Sequence, residues 1–103
     1  MVNEERIVQE FMKYVQIDSP TKHEADFAKF IKGELEALGF EVTIDDAGEK
    51  VGCNTGNVIA KIKGTREGRP ILFSCHMDTV SPSIGIKPII KDGTIYSDGT
   101  TIL

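Results

Sequence analysis

The sequence predicts an α/β fold, specifically an incomplete α/β/α layered domain with a mixed sheet. Three observations carry this reading. Two stretches with apolar residues at helical spacing fill the first forty positions, shorter strand-like segments follow, and one of these, Ile71-Leu72-Phe73-Ser74-Cys75, is nearly continuous apolar sequence. At 103 residues the chain has room for one small domain.

Asn3 is placed to cap a first helix, with Glu4 and Glu5 in the first turn, where the positive end of the helix dipole favours carboxylates. Ile7, Phe11 and Val15, with Val8 and Met12 beside them, form a stripe expected to be buried. The helix is expected to stop near Asp18, because Pro20 disfavours helical geometry at the residue before it. Thr21 and Glu24 have the spacing of a T-x-x-E capping box opening a second helix. Phe27, Ile31, Leu35 and Leu38 share one face of that helix, and Gly39 supplies its left-handed terminator.

Phe40 to Ile44 alternates with period two and reads as a strand covered on one side, and the polar, Gly-containing stretch from Asp45 to Gly56 reads as its loop. Val58 to Ile62 and Pro70 to Cys75 are the next strands, joined by a turn over Gly64 to Gly68. The second is expected in the middle of the sheet, buried on both faces. Ile86 to Lys91 and Thr94 to Tyr96 form a last hairpin on Asp92-Gly93, a favoured pair for a tight primed turn. No closing helix follows, so one sheet face is expected to lack cover, and self-association through it is expected.

Charge excludes some classes of partner. The net charge of -4 is not the electrostatic footprint of a nucleic-acid binder, and Lys61, Lys63, Arg66 and Arg69 read as a solvated hairpin face. Residues 1–55 carry twelve acids and six bases, whereas residues 56–103 carry four and six, which fits acidic surface helices followed by a sheet. No run of about 18 apolar residues occurs, and the first residues are polar and acidic, so no membrane partner and a cytoplasmic location are expected. Cys53 and Cys75 lack a CxxC spacing and are expected to be reduced thiols rather than a disulfide or a zinc knuckle.

The chemistry is expected at His76-Met77-Asp78, directly after the central strand. Residues two apart in an extended segment point the same way, so His76 and Asp78 share a side. A carboxylate there can accept the N–H of the imidazole, fixing the ring and its tautomer while the other nitrogen coordinates a metal. This would make His76 a metal ligand and Asp78 the catalytic carboxylate that clamps it; on these residues alone the alternative is a histidine simply hydrogen-bonded at a strand end. Other candidates read as structural. Cys75 points away from His76, Cys53 is an incidental surface thiol in a loop, His23 faces solvent in the first turn of the second helix, and Ser97 to Thr101 is a turn without a phosphate-loop pattern.

The stretch Ile71 to Val80 resembles the first metal-site signature of the co-catalytic zinc peptidase and deacylase family that includes aminoacylase and succinyl-diaminopimelate desuccinylase. Ile17-Asp18-Ser19-Pro20-Thr21 with Glu24, and Leu35 to Val42, agree with it in the same order. The Cys75 to Val80 stretch and the tail Asp92 to Leu103 look most like the peptidase T branch, the tripeptide aminopeptidases.

The resemblance implies a zinc-dependent exopeptidase fold with two zinc ions, His76 on one of them and Asp78 orienting it, and short peptides as substrates. It also implies that the other ligands, the general-base glutamate and a dimerisation domain fall outside these residues. The chain is then expected to be an amino-terminal part of a longer enzyme, inactive alone and unable to bind zinc tightly. A dipeptidase or N-acyl amino-acid deacylase is the alternative substrate assignment, and a non-catalytic α/β interaction module the alternative class.

Overall fold

The computed structural model describes residues 1–103. It is an α/β arrangement of three helices and four strands in the order α1 (Glu4–Val15), α2 (Ala25–Ala37), β1 (Glu41–Ile44), α3 (Ala47–Val51), β2 (Val58–Lys61), β3 (Ile89–Lys91) and β4 (Thr94–Tyr96). Asn3 caps α1 by accepting the Arg6 N–H at 3.0 Å, which satisfies a donor the helix cannot. At the other end of α2, Gly39 takes φ +89°. Its N–H reaches the Glu36 carbonyl and the Phe40 N–H reaches that of Leu35, a Schellman closure that needs a residue without a Cβ penalty.

β1 and β2 pair antiparallel, Glu41 opposite Lys61 and Ile44 opposite Val58, and α2 packs against both strands. β3 and β4 form a separate antiparallel pair. Asp92 (φ +51°) and Gly93 (φ +74°) make the primed turn between them. β3 begins only at Ile89, later than expected, because Pro88 has no N–H to give to a ladder.

Four expectations need correction. The α1 stripe is not buried: Ile7 is 54% and Phe11 40% exposed, while Tyr14, whose ring stands edge-on to Phe27 and Phe30, and Lys13, which pairs with Glu34, join α1 to α2. The capping box does not form, because Thr21 and Glu24 spend their side chains elsewhere and the Ala25 N–H is capped by Asn54 Oδ1 at 3.0 Å from a distant loop. That loop is not irregular throughout but contains α3. Most important, Ile71 to Cys75 is no central strand. It has no regular secondary structure and no strand partner, and Ile71, Leu72 and Phe73 are 82%, 89% and 88% exposed. A run apolar on both faces is suited to burial between other layers, and no other element of these residues reaches it.

The consequence is an open slab. Its accessible surface is 8306 Å², where a closed monomer of 11.3 kDa has about 5,700 Å². Its radius of gyration is 15.6 Å against about 13 Å for a compact chain of this length. Ala28 and Ile86 are the only buried apolar side chains. No helix is long and apolar enough to cross a membrane.

The segment from β1 to β2 is held by Asp45, whose carboxylate accepts the Asn57 side-chain amide at 2.9 Å and the backbone N–H groups of Ala47 (3.0 Å) and Asn57 (2.8 Å). Packing here is tight: a Cβ on Gly56 would lie 1.9 Å from the Asp45 carbonyl oxygen. The Asn57 amide, followed by those two N–H groups, holds the Asp45 carboxyl below its ordinary pKa. A carboxyl lowered in the folded state stabilises the fold fully above its unfolded value of about 3.9 and loses that contribution as pH falls through the folded value. The Asp45 carboxyl carbon, followed by NMR, is therefore expected to titrate below about pH 4. A midpoint at or above the unfolded value would show that these hydrogen bonds are not made in solution.

Candidate functional site

The arm that carries His76 has no sheet to hold it, and a second segment takes over that role. Ser19, only 2% exposed, donates its hydroxyl to the Met77 carbonyl at 2.8 Å. Its own carbonyl accepts the Thr79 N–H at 2.8 Å and the Thr79 hydroxyl at 3.0 Å. Pro20 and Thr79 form the one parallel bridge of the molecule, and Asp18 accepts the Gly85 N–H at 2.8 Å just beyond. Residues 18–21 thus act as a short splint along residues 77–79.

Within this frame His76 and Asp78 meet as the sequence led one to expect. His76 Nδ1 lies 3.0 Å from Asp78 Oδ1 and 2.8 Å from the Asp78 carbonyl oxygen, so both acceptors converge on one ring nitrogen. In the neutral ring that places the proton on Nδ1 and leaves the Nε2 lone pair free. No hydrogen bond engages Nε2, and the His76 side chain is 81% exposed. The other Asp78 oxygen, Oδ2, accepts the Thr21 hydroxyl at 2.7 Å. This bond first, with His76 adding its attraction, keeps the Asp78 carboxyl below its ordinary pKa despite some loss of solvent.

The pair sits on the wall of a groove of about 840 Å³ between α2, β2 and the arm. Phe27, Ile31 and Leu35 from α2 and Val58 from β2 make its apolar floor. Glu24 and Cys53 contribute further polar groups to the lining. The Cys53 thiol is half-buried rather than at the surface and donates to Glu24 Oε2 at 2.9 Å. Partial burial pushes the Glu24 carboxyl up, but the Cys53 thiol and the Lys22 N–H outweigh it and leave the group below its ordinary value. Cys75 is a free, exposed thiol. His23 is exposed as expected but precedes α2 instead of lying in its first turn. Asp98 turns back on the Thr100 N–H at 2.9 Å.

A histidine fixed by a carboxylate through Nδ1, with Nε2 free of hydrogen bonds and the side chain lining a groove, suits one position in a metal's coordination shell. Nowhere in the chain do three His, Cys, Asp or Glu side chains come close enough to surround one ion. Thr21 is the site residue that sequence reasoning missed. Its local spacing to Glu24 signalled a helix cap, and no local signal marks a contact made 57 positions away.

No family model matches the chain. Two solved structures do. The aminopeptidase PepT of Bacillus cereus is 50% identical with a TM-score of 0.94, and a tripeptidase of Staphylococcus aureus is 41% identical with the same TM-score; the match covers 99% of this chain and 28% of each of theirs. Along nearly its whole length the chain is similar to the peptidase T family. A protein of Thermococcus kodakarensis provisionally named a LysW-lysine/LysW-ornithine hydrolase is 34% identical over 97% of the chain and 26% of its own length. The chain therefore spans about a quarter of the length of these relatives. Because the likeness to the two peptidase T family structures covers nearly every residue, the unpaired arm follows the same backbone course in those longer proteins.

Proposed function

We propose that these residues are the opening part of a zinc-dependent aminopeptidase that removes the first residue of short peptides, tripeptides above all. The observation that carries this reading is His76 Nδ1 on Asp78 Oδ1 at 3.0 Å, with Nε2 open beside the groove. His76 would hold one of two zinc ions, and Asp78 would fix the ring and raise its basicity as a ligand. When bound, the metal pair polarises the scissile carbonyl and lowers the pKa of water. The chain's own part is to orient the imidazole and to offer apolar wall in the groove to a peptide.

A catalytic zinc takes about three protein ligands, so one imidazole without a second donor nearby binds weakly. The 103 residues alone are accordingly inactive, and their apolar arm drives self-association. The likeness to the Thermococcus protein supports a second reading, an amide hydrolase acting on N-acyl or conjugated amino acids in place of free peptides.

A chimera tests the proposal: this chain replaces the matching 28% of the Bacillus cereus aminopeptidase. Zinc-supported cleavage of a tripeptide is the expected result, with little turnover of an N-acetylated amino acid. A folded chimera without hydrolase activity would refute the catalytic reading, and a preference for the acylated substrate would favour the second one.

A further inference from the structure

We propose that Thr21 is a positioning residue for the His76–Asp78 pair, its hydroxyl deciding which way the Asp78 carboxylate faces. The proposal rests on the reading of His76 and Asp78 as ligand and clamp, and adds a third member to that chain of contacts. Three facts support it.

The first concerns the carboxylate itself. Thr21 Oγ1 at 2.7 Å is the one hydrogen-bond donor that reaches the Asp78 carboxylate from outside the arm, and it occupies the oxygen His76 does not use. One oxygen is tied to residue 21, so the other is presented to the ring.

The second is a competitor. The Nδ1 proton has an alternative acceptor, the Asp78 carbonyl oxygen at 2.8 Å. If the carboxylate swings away, the proton falls back on this neutral oxygen. The charge-assisted bond is then lost, and with it much of the preference for the Nδ1–H tautomer.

The third separates Thr21 from its surroundings. The splint between residues 18–21 and 77–79 is made by Ser19 and by the Pro20–Thr79 bridge, through groups other than the Thr21 side chain. Thr21 is itself exposed. Its hydroxyl can therefore be removed without undoing the docking, which makes Thr21→Val, close to Thr in shape, a selective change.

The test reads the tautomer of His76 in the metal-free protein, from two-bond proton–nitrogen NMR correlations of the imidazole at a pH where the ring is neutral. In the parent protein the Nδ1–H form is expected to dominate. In Thr21→Val its fraction should fall about twofold or more, while the Thr79 amide signal, set by Ser19, stays in place. Thr21→Ser, which keeps the hydroxyl, should restore the parent tautomer.

An unchanged tautomer in Thr21→Val overturns the proposal. So does a Thr79 amide that moves together with it, which would make Thr21 a structural tie between the segments. Asp78→Ala separates the two levels of the argument. If it too leaves the tautomer unchanged, the His76–Asp78 reading fails. If it abolishes the Nδ1–H preference while Thr21→Val does not, only the role of Thr21 is lost.

Discussion

His76→Ala in the chimera with the Bacillus cereus aminopeptidase is expected to abolish tripeptide hydrolysis and to leave the protein short of metal, whereas Asp78→Asn is expected to weaken zinc binding by about 10–100-fold. The two differ because they act on different bonds. His76 supplies the donor atom, so its loss removes a ligand outright. Asp78 makes no claim on the metal; it accepts at Nδ1 and thereby keeps the ring in place and Nε2 unprotonated. The amide introduced by Asp78→Asn would preserve shape but take away the charge, and the single Nδ1 proton would be left to two neutral acceptors. Excess zinc should therefore recover much of the Asp78→Asn activity and none of the His76→Ala activity. Metal content by elemental analysis, read beside kcat and KM, checks this. Equal and zinc-independent losses in both variants would mean that Asp78 serves some purpose other than orienting the ligand.

The second large effect concerns the exposed arm. Free in solution, the chain is expected to elute well above its 11.3 kDa mass, and the double change Leu72→Lys, Phe73→Asp is expected to move it toward the monomer. Leu72 and Phe73 are 89% and 88% exposed in a segment whose backbone pairs with no strand. The surface in excess of a closed monomer, about 2,600 Å² by comparison of 8306 Å² with the size expectation, exceeds the roughly 800 Å² per partner that a standard interface removes. Apolar contact and free strand edges therefore act together. Size-exclusion chromatography with light scattering reads the outcome. A monomer that unfolds cooperatively, with the parent Leu72 and Phe73 in place, would show that the layers close in some other way. In the chimera the same double change should instead lower thermal stability, because there the arm has a longer chain to pack against.

The features legible in the sequence were those written within a few residues of each other. Asn3 and the Arg6 N–H are three positions apart, Gly39 closes the helix it follows, and Asp92-Gly93 turns a hairpin between its own neighbours. His76 and Asp78 belong to the same class, since an extended backbone alone brings residues two apart to one side. What stayed hidden was decided at long range. Thr21 had two possible partners, its own helix terminus and a carboxylate 57 positions later, and the splint of Ser19 on Met77 and Thr79 settled the choice. With Thr21 committed, the open end of α2 is capped by Asn54, which no spacing rule connects to Ala25. The run Ile71 to Cys75 was readable as a strand built for burial, but burial requires neighbours, and a composition cannot say whether they are at hand.

The claim on which the account rests is that Asp78 holds His76 by Nδ1 and leaves Nε2 as the metal donor. Zinc titrated into nitrogen-labelled protein, with the imidazole nitrogens of His76 observed one by one, tests it most directly. The expected result is a progressive shift of Nε2 alone, Nδ1 keeping its proton throughout; a shift centred on Nδ1, or no response from His76 while zinc collects elsewhere, would contradict it.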